Sequence, residues 1–405
     1  MRLVGVDFGT TNSVIAVLDE GGATLARSVL CFWLEPFGAS QQFRYAAGAE
    51  AVRAYLEDPL DSRLILSMKT FLAQKSFEST RIFGRNYTLE RLVATFLREL
   101  LPAIGDGATV IAGRPVRFAG ERADDALGER RLRAAFADAS LPVLDVVLEP
   151  EAAGWFFMRT LSRPTTVLIG DFGGGTSDFS VLRFTPGRGI AAFGHAGIGI
   201  AGDAFDYRII DRVIAPRLGK GDTYTIMGKE LPVPPEYFTS FARWHRLSMM
   251  RTPRTLREIG SVARTAAHPE RLQALIRLIE GEHGYRLYQA VAAAKMALSH
   301  QERTILRFRE AGLAIEAPIS RAEFETWIAE DLSRIGSAVD AALEAAAVRP
   351  NDIDRVFLTG GTSFVPAVRG LFLRRFGPER VSAGDEFVSV AEGLALAGRD
   401  RVKAE

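Results

Sequence analysis

The chain has 405 residues, of which 47% are hydrophobic and 24% are charged, and its formal net charge is +1 at pH 7. This length predicts two or more domains, with cores large enough to fold without disulfides or a structural metal. The near-neutral charge argues against a nucleic-acid partner, and the single cysteine excludes an internal disulfide framework. No apolar run is long enough for a signal peptide or a membrane helix, so we expect a cytoplasmic protein without a membrane partner.

Two segments of the chain repeat one pattern. Residues 2–18 read RLVGVDFGTTNSVIAVL, and residues 165–184 read TTVLIGDFGGGTSDFSVLRF. Each has an apolar β-rich run, then Asp-Phe-Gly, then small polar residues and a second β-rich run. This pattern predicts two β-hairpins with glycine-rich turns, and their repetition indicates a duplicated architecture with one lobe beginning near each hairpin.

The elements predicted for the first lobe, residues 1–163, end in β-α-β-α order, which is typical of an α/β fold. They are a helix over Leu89–Leu101, a strand over Thr109–Ala112, a helix over Ala123–Ala139, a strand over Val143–Leu148 and a helix over Glu149–Leu161. The core of this lobe is predicted to span residues 1–30 and 109–163, with a peripheral subdomain at 31–108.

The second lobe, residues 164–405, is predicted to have a core at 164–218 and 303–405 and an inserted peripheral subdomain at 219–302. The predicted elements are helices over Asp203–Leu218 and Leu287–Ser299, a strand over Arg355–Thr359, and helices near Pro366–Phe376 and over residues 390–397. The insertion also holds prolines at 232, 234 and 235 and an arginine-rich helical stretch from Arg243 to Arg264. That stretch could bind an acidic protein partner, although a solvated helix face is the simpler interpretation.

The first hairpin turn has the composition of a phosphate loop. A phosphate chain needs backbone N–H groups aimed inward, hydroxyl donors and little steric hindrance, which Gly9, Thr10, Thr11 and Asn12 supply. Asp7 ends the first strand, where a carboxylate can hold Mg²⁺ through water. A plain β-turn remains the alternative, because these are also turn residues.

Two further turns suit a nucleotide. Consecutive glycines at 173, 174 and 175 weaken a strand, which close approach of a ligand would explain, and the flanking Asp171 and Asp178 could bind metal or water. Gly360-Gly361 follows a buried strand and opens a helix, so a nucleoside could lie against bare backbone there, unless this is only a tight connection. A G-x-G-x-x-G match at 197–202 is not favoured as a dinucleotide site, because Asp222 falls in a Gly/Lys loop rather than at a strand end.

Together these turns resemble those of the actin-like ATPase superfamily. The motifs DFGTTNS at residues 7–13, DFGGGTSD at 171–178 and EPEAA at 149–153 resemble the nucleotide-binding domain of the 70-kDa heat-shock, DnaK-like chaperones, and the chain looks like the truncated, YegD-type branch. The resemblance implies a two-lobed ribonuclease H-like α/β fold, with a core and a peripheral subdomain in each lobe and a nucleotide cleft between the lobes. It also implies ATP or ADP and Mg²⁺ as ligands, and Mg²⁺-dependent ATP hydrolysis.

The resemblance also implies roles for individual residues. Catalytic roles fall to Lys69, Glu149, Asp171 and Thr176, although Lys69 by itself would be interpreted as a surface lysine. Mg²⁺, held through water, falls to Asp7 and Asp171. Nucleotide contacts fall to Gly9, Thr10, Thr11, Asn12, Gly173, Gly174, Gly175, Gly202, Asp203, Lys295, Ser299, Gly360, Gly361, Ser363 and Phe364.

The chain departs from the family pattern at the adenine end, where Ala292, Met296 and Phe364 replace charged residues. Phe364 could stack on adenine. We expect the protein to lack the family's peptide-binding domain, lid and linker, because the resemblance covers only the nucleotide-binding domain. A nucleotide-dependent switch with little turnover, a sugar or metabolite kinase and a filament-forming protein therefore stay open as alternatives, although Lys69 and the EPEAA motif favour the chaperones over the kinases.

Overall fold

The computed structural model describes residues 2–18, 22–38, 40–120, 122–242, 247, 250–310, 312–383 and 388–404. Contacts within the chain divide it into two compact units. The first unit comprises Met1–Gly202 and Leu332–Glu405, and the second unit comprises Asp203–Asp331.

Strands and helices alternate along much of the chain, as expected for an α/β protein. The strands are β1 (Arg2–Asp7), β2 (Asn12–Val17), β3 (Ala23–Arg27), β4 (Leu30–Phe37), β5 (Ser40–Ala47), β6 (Ser62–Ile65), β7 (Ser79–Ile82), β8 (Arg85–Thr88), β9 (Ala108–Arg114), β10 (Val143–Leu148), β11 (Thr165–Phe172), β12 (Ser177–Thr185), β13 (Gly189–Ile198), β14 (Thr223–Ile226), β15 (Lys229–Pro232), β16 (Arg303–Glu310), β17 (Leu313–Ser320), β18 (Arg355–Thr359) and β19 (Val381–Ala383). The helices are α1 (Gly48–Glu57), α2 (Met68–Phe71), α3 (Leu89–Glu99), α4 (Leu101–Ile104), α5 (Asp125–Asp138), α6 (Glu149–Phe157), α7 (Gly202–Ile209), α8 (Pro235–Phe241), α9 (Pro253–Ala263), α10 (Pro269–Glu280), α11 (Gly284–His300), α12 (Arg321–Trp327), α13 (Ala329–Ala345), α14 (Pro366–Phe376) and α15 (Ser389–Ala404).

The two main sheets of the first unit share one topology. Among the described residues, one sheet has the strand order β10-β9-β1-β2-β3 and the other has the order β13-β12-β11-β18-β19. In each sheet the central strand, β1 or β11, runs parallel to one neighbour and antiparallel to its hairpin partner. This symmetry confirms the duplicated architecture predicted from the repeated motif.

Both predicted hairpins form. Asp7 pairs with Val14 across β1 and β2, and Asp171 pairs with Asp178 across β11 and β12. The two aspartates therefore occupy equivalent positions, each at the carboxyl end of a central strand. β11 is buried along its whole length, in agreement with the apolar run at residues 167–170.

Helices α6 and α15 lie between the two sheets and give them a common core. The buried core residues are Leu3, Ile111 and Val147 of one sheet, Val167, Ile169, Leu182 and Phe357 of the other, and Ala152, Ala153, Phe157, Val390, Leu394 and Ala397 of the helices. The rings of Phe157 and Phe357 stack with centroids 4.3 Å apart. A Cβ atom on Gly393 would lie 1.7 Å from the backbone oxygen of Ala152, so only glycine permits this close helix packing. The packing fixes α6, which begins at Glu149.

The segment of the first unit between β3 and β9 contains the sheet β5-β4-β6, the hairpin β7-β8 and helices α1 to α4. Its core joins that of the first main sheet, because Phe8, which follows Asp7, packs against Phe96 of α3 with ring centroids 5.8 Å apart. The first hairpin turn is thereby tied to the part of the chain that carries Lys69.

The second unit contains helices α8 to α12, most of α7, and the hairpins β14-β15 and β16-β17. The helix predicted over Asp203–Leu218 is α7 followed by a π-helical turn over Ile210–Ile214 and a 3-10 turn over Ala215–Leu218. Of the arginine-rich stretch, Arg243 lies outside the described residues. Arg254 pairs with Glu258 of the same helix at 2.8 Å, and this internal pair supports the interpretation as a solvated helix face.

Candidate functional site

Carboxylates from both main sheets and from α6 converge in the first unit. Asp7 ends β1, and Asp171 is the last residue but one of β11. Asp178 is the second residue of the adjacent strand β12, and Glu149 is the first residue of α6. A glutamate in the first helical turn is favoured by the positive end of the helix dipole. The fold therefore concentrates negative charge where the strand ends and the helix start meet.

Lys69 lies among these carboxylates. Its Nζ atom donates a 2.6 Å hydrogen bond to Glu149 Oε1 and lies 3.9 Å from Asp7 Oδ1. Lys69 is only 8% exposed and Glu149 only 4% exposed. The interpretation of Lys69 as a surface lysine is therefore wrong.

The pKa values of the cluster are shifted by burial and by the crowding of like charges. Burial raises the pKa of Asp7 and that of Asp178 to about 7, and the charge of Glu149 adds to both shifts. Burial also raises the pKa of Asp171 well above its ordinary value, with further contributions from the neighbouring carboxylates. Burial alone would lower the pKa of Lys69, but the charges of Glu149 and Asp7 outweigh it and raise this pKa. One ammonium group is too little to neutralise four carboxyl groups.

The cluster fits a hydrated cation better than a bare one. Within the described ranges, no three His, Cys, Asp or Glu side chains stand close enough to ligate an ion together. Asp7 Oδ1 is buried and accepts no hydrogen bond from any described group. A surplus of buried carboxylate with an unsatisfied oxygen suits Mg²⁺, which keeps most of its water shell in proteins.

The three glycine-containing turns meet beside this cluster. Gly360 has φ +83°, and a Cβ atom there would lie 2.1 Å from the backbone oxygen of Phe172. The Thr362 hydroxyl donates to the backbone oxygen of Gly173 at 3.1 Å, which ties the third turn to the second. A Cβ atom on Gly175 would lie 3.4 Å from Thr10 Oγ1, so the second turn also contacts the first.

The other predicted contacts of the first unit occupy these same turns. Gly9 and Thr11 lie between β1 and β2, Gly174 and Thr176 between β11 and β12, and Asn12 begins β2. The amide of Gly173 donates to the Thr176 backbone oxygen at 2.9 Å, closing the second turn. Gly361, Ser363 and Phe364 form a 3-10 turn. The buried Ser363 Oγ has no hydrogen-bond partner in the described part of the chain, and Phe364 is 41% exposed. Their binding roles stay predictions.

The remaining predicted residues lie at the border of the first unit or in the second unit. Gly202 is the last residue of the first unit and begins α7. Lys295 of α11 donates to Asp206 Oδ2 at 2.9 Å, and Ser299 Oγ donates to the Lys295 backbone oxygen at 3.5 Å. Burial, with the charge of Asp206 added, raises the pKa of Asp203 to about 7. Lys295 and Ser299, the predicted adenosine contacts, thus bond to groups of the second unit. Their role in nucleotide binding stays a prediction.

Sequence reasoning missed several residues that shape the site. The backbone N–H of Arg117 donates to Asp178 Oδ1 at 3.1 Å, and no sequence signal reveals a backbone donor from a distant loop. Ser67, two residues before Lys69, has φ +52° in the left-handed region, which is uncommon outside glycine. Thr362 lies between two predicted contacts, so its position in the turn was a usable signal.

The fold and the site together define a class of protein. Two sheets of matching strand order, each with an aspartate-led hairpin turn at the end of its central strand, are the architecture of the actin-like ATPase fold. This confirms the fold class predicted from the sequence.

Comparison with known proteins shows which members of that class the chain is similar to. The family model for Hsp70 protein matches residues 280–399. The chain is 26% identical over 428 residues to the chaperone protein dnaK of Cyanophora paradoxa, covering 97% of this chain and 60% of that protein. It is 23% identical over 437 residues to the chaperone protein dnaK of Cyanidium caldarium, covering 98% of this chain and 61% of that protein. The chain is therefore similar to Hsp70/DnaK-like proteins over almost its whole length.

These comparisons confirm the family resemblance, while the YegD-type branch stays a prediction. The chain spans about three fifths of the length of the two dnaK relatives. Throughout the described ranges, every helix is too short or too polar to cross a membrane.

Proposed function

We propose that the first unit binds the phosphates of ATP or ADP with Mg²⁺, and that the chain is a chaperone-type nucleotide-binding protein that slowly hydrolyses ATP to ADP and phosphate. The observation that carries this proposal is the buried Lys69–Glu149 ion pair beside Asp171, where the glycine-containing turns meet. The similarity to dnaK chaperones over almost the whole chain supports nucleotide binding.

Each polar side chain has a defined role in the proposed reaction. Lys69 contacts the γ-phosphate and orients the attacking water, and Glu149 holds the ammonium group through the 2.6 Å hydrogen bond. Asp171 accepts a proton from the water as its oxygen bonds to the γ-phosphorus. The bond from the γ-phosphorus to the bridging oxygen breaks, and ADP leaves with the electron pair. Most of the catalysis is positioning and charge neutralisation, as is usual for phosphoryl transfer.

The residues that fit Mg²⁺ are Asp7 and Asp171, both acting through water. When bound, the ion neutralises phosphate charge during hydrolysis. Its arrival also favours the ionised form of the buried carboxyl groups, whose pKa values are raised in the free protein. The hydroxyl of Thr176 and the turn amides of Gly173 to Gly175 complete the phosphate contacts in this proposal.

Phosphate release with and without Mg²⁺ tests the proposed reaction. Wild-type protein should release phosphate from ATP only with Mg²⁺, and Lys69→Ala should lower kcat about 100-fold, equivalent to about 2.7 kcal/mol. The exposed Lys229 of the second unit supplies the control, since Lys229→Ala should leave kcat unchanged. Equal rates in the wild type and Lys69→Ala would remove Lys69 from the mechanism.

A second candidate is a nucleotide-dependent switch with little turnover. It is favoured by the raised pKa of Asp171, because burial shifts this carboxyl group toward its protonated form and only the ionised form accepts a proton from water. Calorimetry with ATP, ADP and other nucleotides, with and without Mg²⁺, separates the candidates. Tight Mg²⁺-dependent binding without phosphate release supports the switch, whereas transfer of phosphate to a sugar or metabolite would indicate a kinase.

A further inference from the structure

Lys69 lies on a helix that is too short to be stable by itself. Helix α2 spans only Met68–Phe71, and an isolated helical turn of this length is unstable in water. The chain enters it through Ser67, whose φ of +52° is unfavourable for a residue with a side chain. The position of the Lys69 ammonium group therefore depends on contacts from outside the helix.

Arg131 of α5 supplies such contacts at the end of the helix. Its Nη1 atom donates to the backbone oxygens of Phe71, Leu72 and Gln74 at 3.3, 3.2 and 3.0 Å. Its Nη2 atom donates to the backbone oxygen of Phe77 at 2.8 Å. Carbonyl oxygens at the end of a helix can accept hydrogen bonds from side chains, and a cation beside them interacts favourably with the negative end of the helix dipole. One guanidinium group thus serves as the cap of α2 and of the turn that follows.

The guanidinium group is itself held on its other edge. Arg131 Nε lies 3.1 Å from Glu90 Oε1, and the arginine side chain is only 12% exposed. The backbone N–H of Asp124 donates to the backbone oxygen of Ala73 at 3.0 Å, which adds a second link between α5 and the same turn. The segment that carries Lys69 is therefore fixed to α5, whose own packing against α3 is part of the buried core.

We propose that Arg131 is a positioning residue for Lys69 in the hydrolysis proposed above, on which this inference rests. It holds the turn over residues 71–77 so that the Lys69 ammonium group stays against Glu149. Lysine cannot replace it, because one ammonium group lacks the planar fork that reaches several carbonyl oxygens and a carboxylate at once. Among the described residues, the hydrogen bonds and the ion pair of Arg131 go to Phe71, Leu72, Gln74, Phe77 and Glu90, none of which is a predicted nucleotide contact. Its effect on the reaction should therefore pass through Lys69.

Steady-state phosphate release from Mg-ATP tests this with Arg131→Met and Arg131→Lys. Both should lower kcat about tenfold and leave KM within about twofold, because nucleotide contacts are intact while the lysine is displaced. Arg130→Met is the matched control, since Arg130 is exposed on the same helix, and it should leave kcat unchanged. In a Lys69→Ala background, Arg131→Lys should change kcat less than twofold, because a residue acting through Lys69 has nothing left to position.

Calorimetric ATP affinity and a thermal melt show whether each variant is folded, and Arg131→Lys retains the charge if Arg131→Met fails to fold. A tenfold loss that persists in the Lys69→Ala background overturns the inference, as does an equal loss in Arg130→Met. Normal kcat in folded Arg131→Met and Arg131→Lys overturns the inference alone and leaves the proposed hydrolysis standing. A wild-type protein without turnover overturns both the hydrolysis and the inference.

Discussion

Lys69 Nζ lies 2.6 Å from Glu149 Oε1, and this buried ion pair joins segments that are 80 residues apart in the chain. One partner stands on the four-residue helix α2 and the other at the start of α6, between the two main sheets. The pair therefore links the segment between β3 and β9 to the helix that packs between the two main sheets. It is also surrounded by Asp7, Asp171 and Asp178, so its two members are not equivalent.

Removing the lysine should destabilise the protein more than neutralising the glutamate. Lys69→Met leaves four buried carboxyl groups without a cation and should lower the free energy of unfolding by about 3 kcal/mol. Glu149→Gln leaves Lys69 with Asp7 and relieves repulsion among the carboxylates, so we expect a loss of about 1 kcal/mol. Urea unfolding at pH 7 measures both values, with Lys229→Met as an exposed control. A larger loss for Glu149→Gln would contradict this account of the charges.

Alanine at Gly360 should be far more damaging than alanine at a glycine that needs only a positive φ. Gly187 has φ +76° with open space around it. Gly187→Ala should therefore lower the free energy of unfolding by about 1 kcal/mol, through the unfavourable backbone conformation alone. Gly360→Ala adds a clash with the backbone oxygen of Phe172, so it should lower the free energy of unfolding by more than about 3 kcal/mol. Urea unfolding compares the two. Similar losses would mean that the turn moves away from the second hairpin easily.

The raised carboxyl pKa values predict that ligand-free protein loses stability as the pH rises. The pKa of Asp178 is about 7 in the folded protein and about 4 in an unfolded chain. The folded state therefore binds more protons between these values, and the free energy of unfolding falls as the pH rises through this interval. Urea unfolding from pH 5 to pH 8 measures the slope.

Asp178→Asn is the matched variant for this pH experiment. Its amide oxygen can still accept the hydrogen bond from the Arg117 backbone, but the side chain no longer titrates. The slope should therefore be shallower than in the wild type. An unchanged slope would show that Asp178 does not contribute to the proton balance of folding.

Phe364 should govern affinity for the base rather than for the phosphates. If it stacks on adenine, Phe364→Ala should weaken ATP binding by about 1 kcal/mol, or about fivefold, and leave the affinity for inorganic triphosphate unchanged. Phe193 is the control, because it is also exposed and lies on β13 of the first unit. Calorimetry with ATP and triphosphate measures these effects. Equal weakening of both ligands would indicate a general disturbance of the turn.

Much of the fold was predictable because the hydrophobic pattern and the turn chemistry agree. The strands β10 and β18 and the helix α14 have the bounds that the sequence predicted. The predicted helix over Glu149–Leu161 instead ends at Phe157 and continues as a 3-10 turn to Thr160. Helix ends depend on the last few hydrogen bonds, which local sequence determines weakly.

The site was predictable in its residue types but not in its geometry. The glycines and aspartates of the hairpin turns could be identified from the sequence, because exposed backbone N–H groups bind phosphate and carboxylates bind cations. Lys69 could not be recognised from its residue type alone, because most lysines are exposed. Only the packing of α2 against the core, with Arg131 holding its end, places that ammonium group beside Glu149.

The sequence by itself determined the α/β class, the paired hairpins and the resemblance to the Hsp70/DnaK-like family, because periodicity and turn residues act over a few positions. The tertiary structure alone decided which charges become buried together and how far their pKa values move. Burial and electrostatic interaction depend on distances in space between residues such as Lys69, Glu149 and Asp171, which lie far apart along the chain.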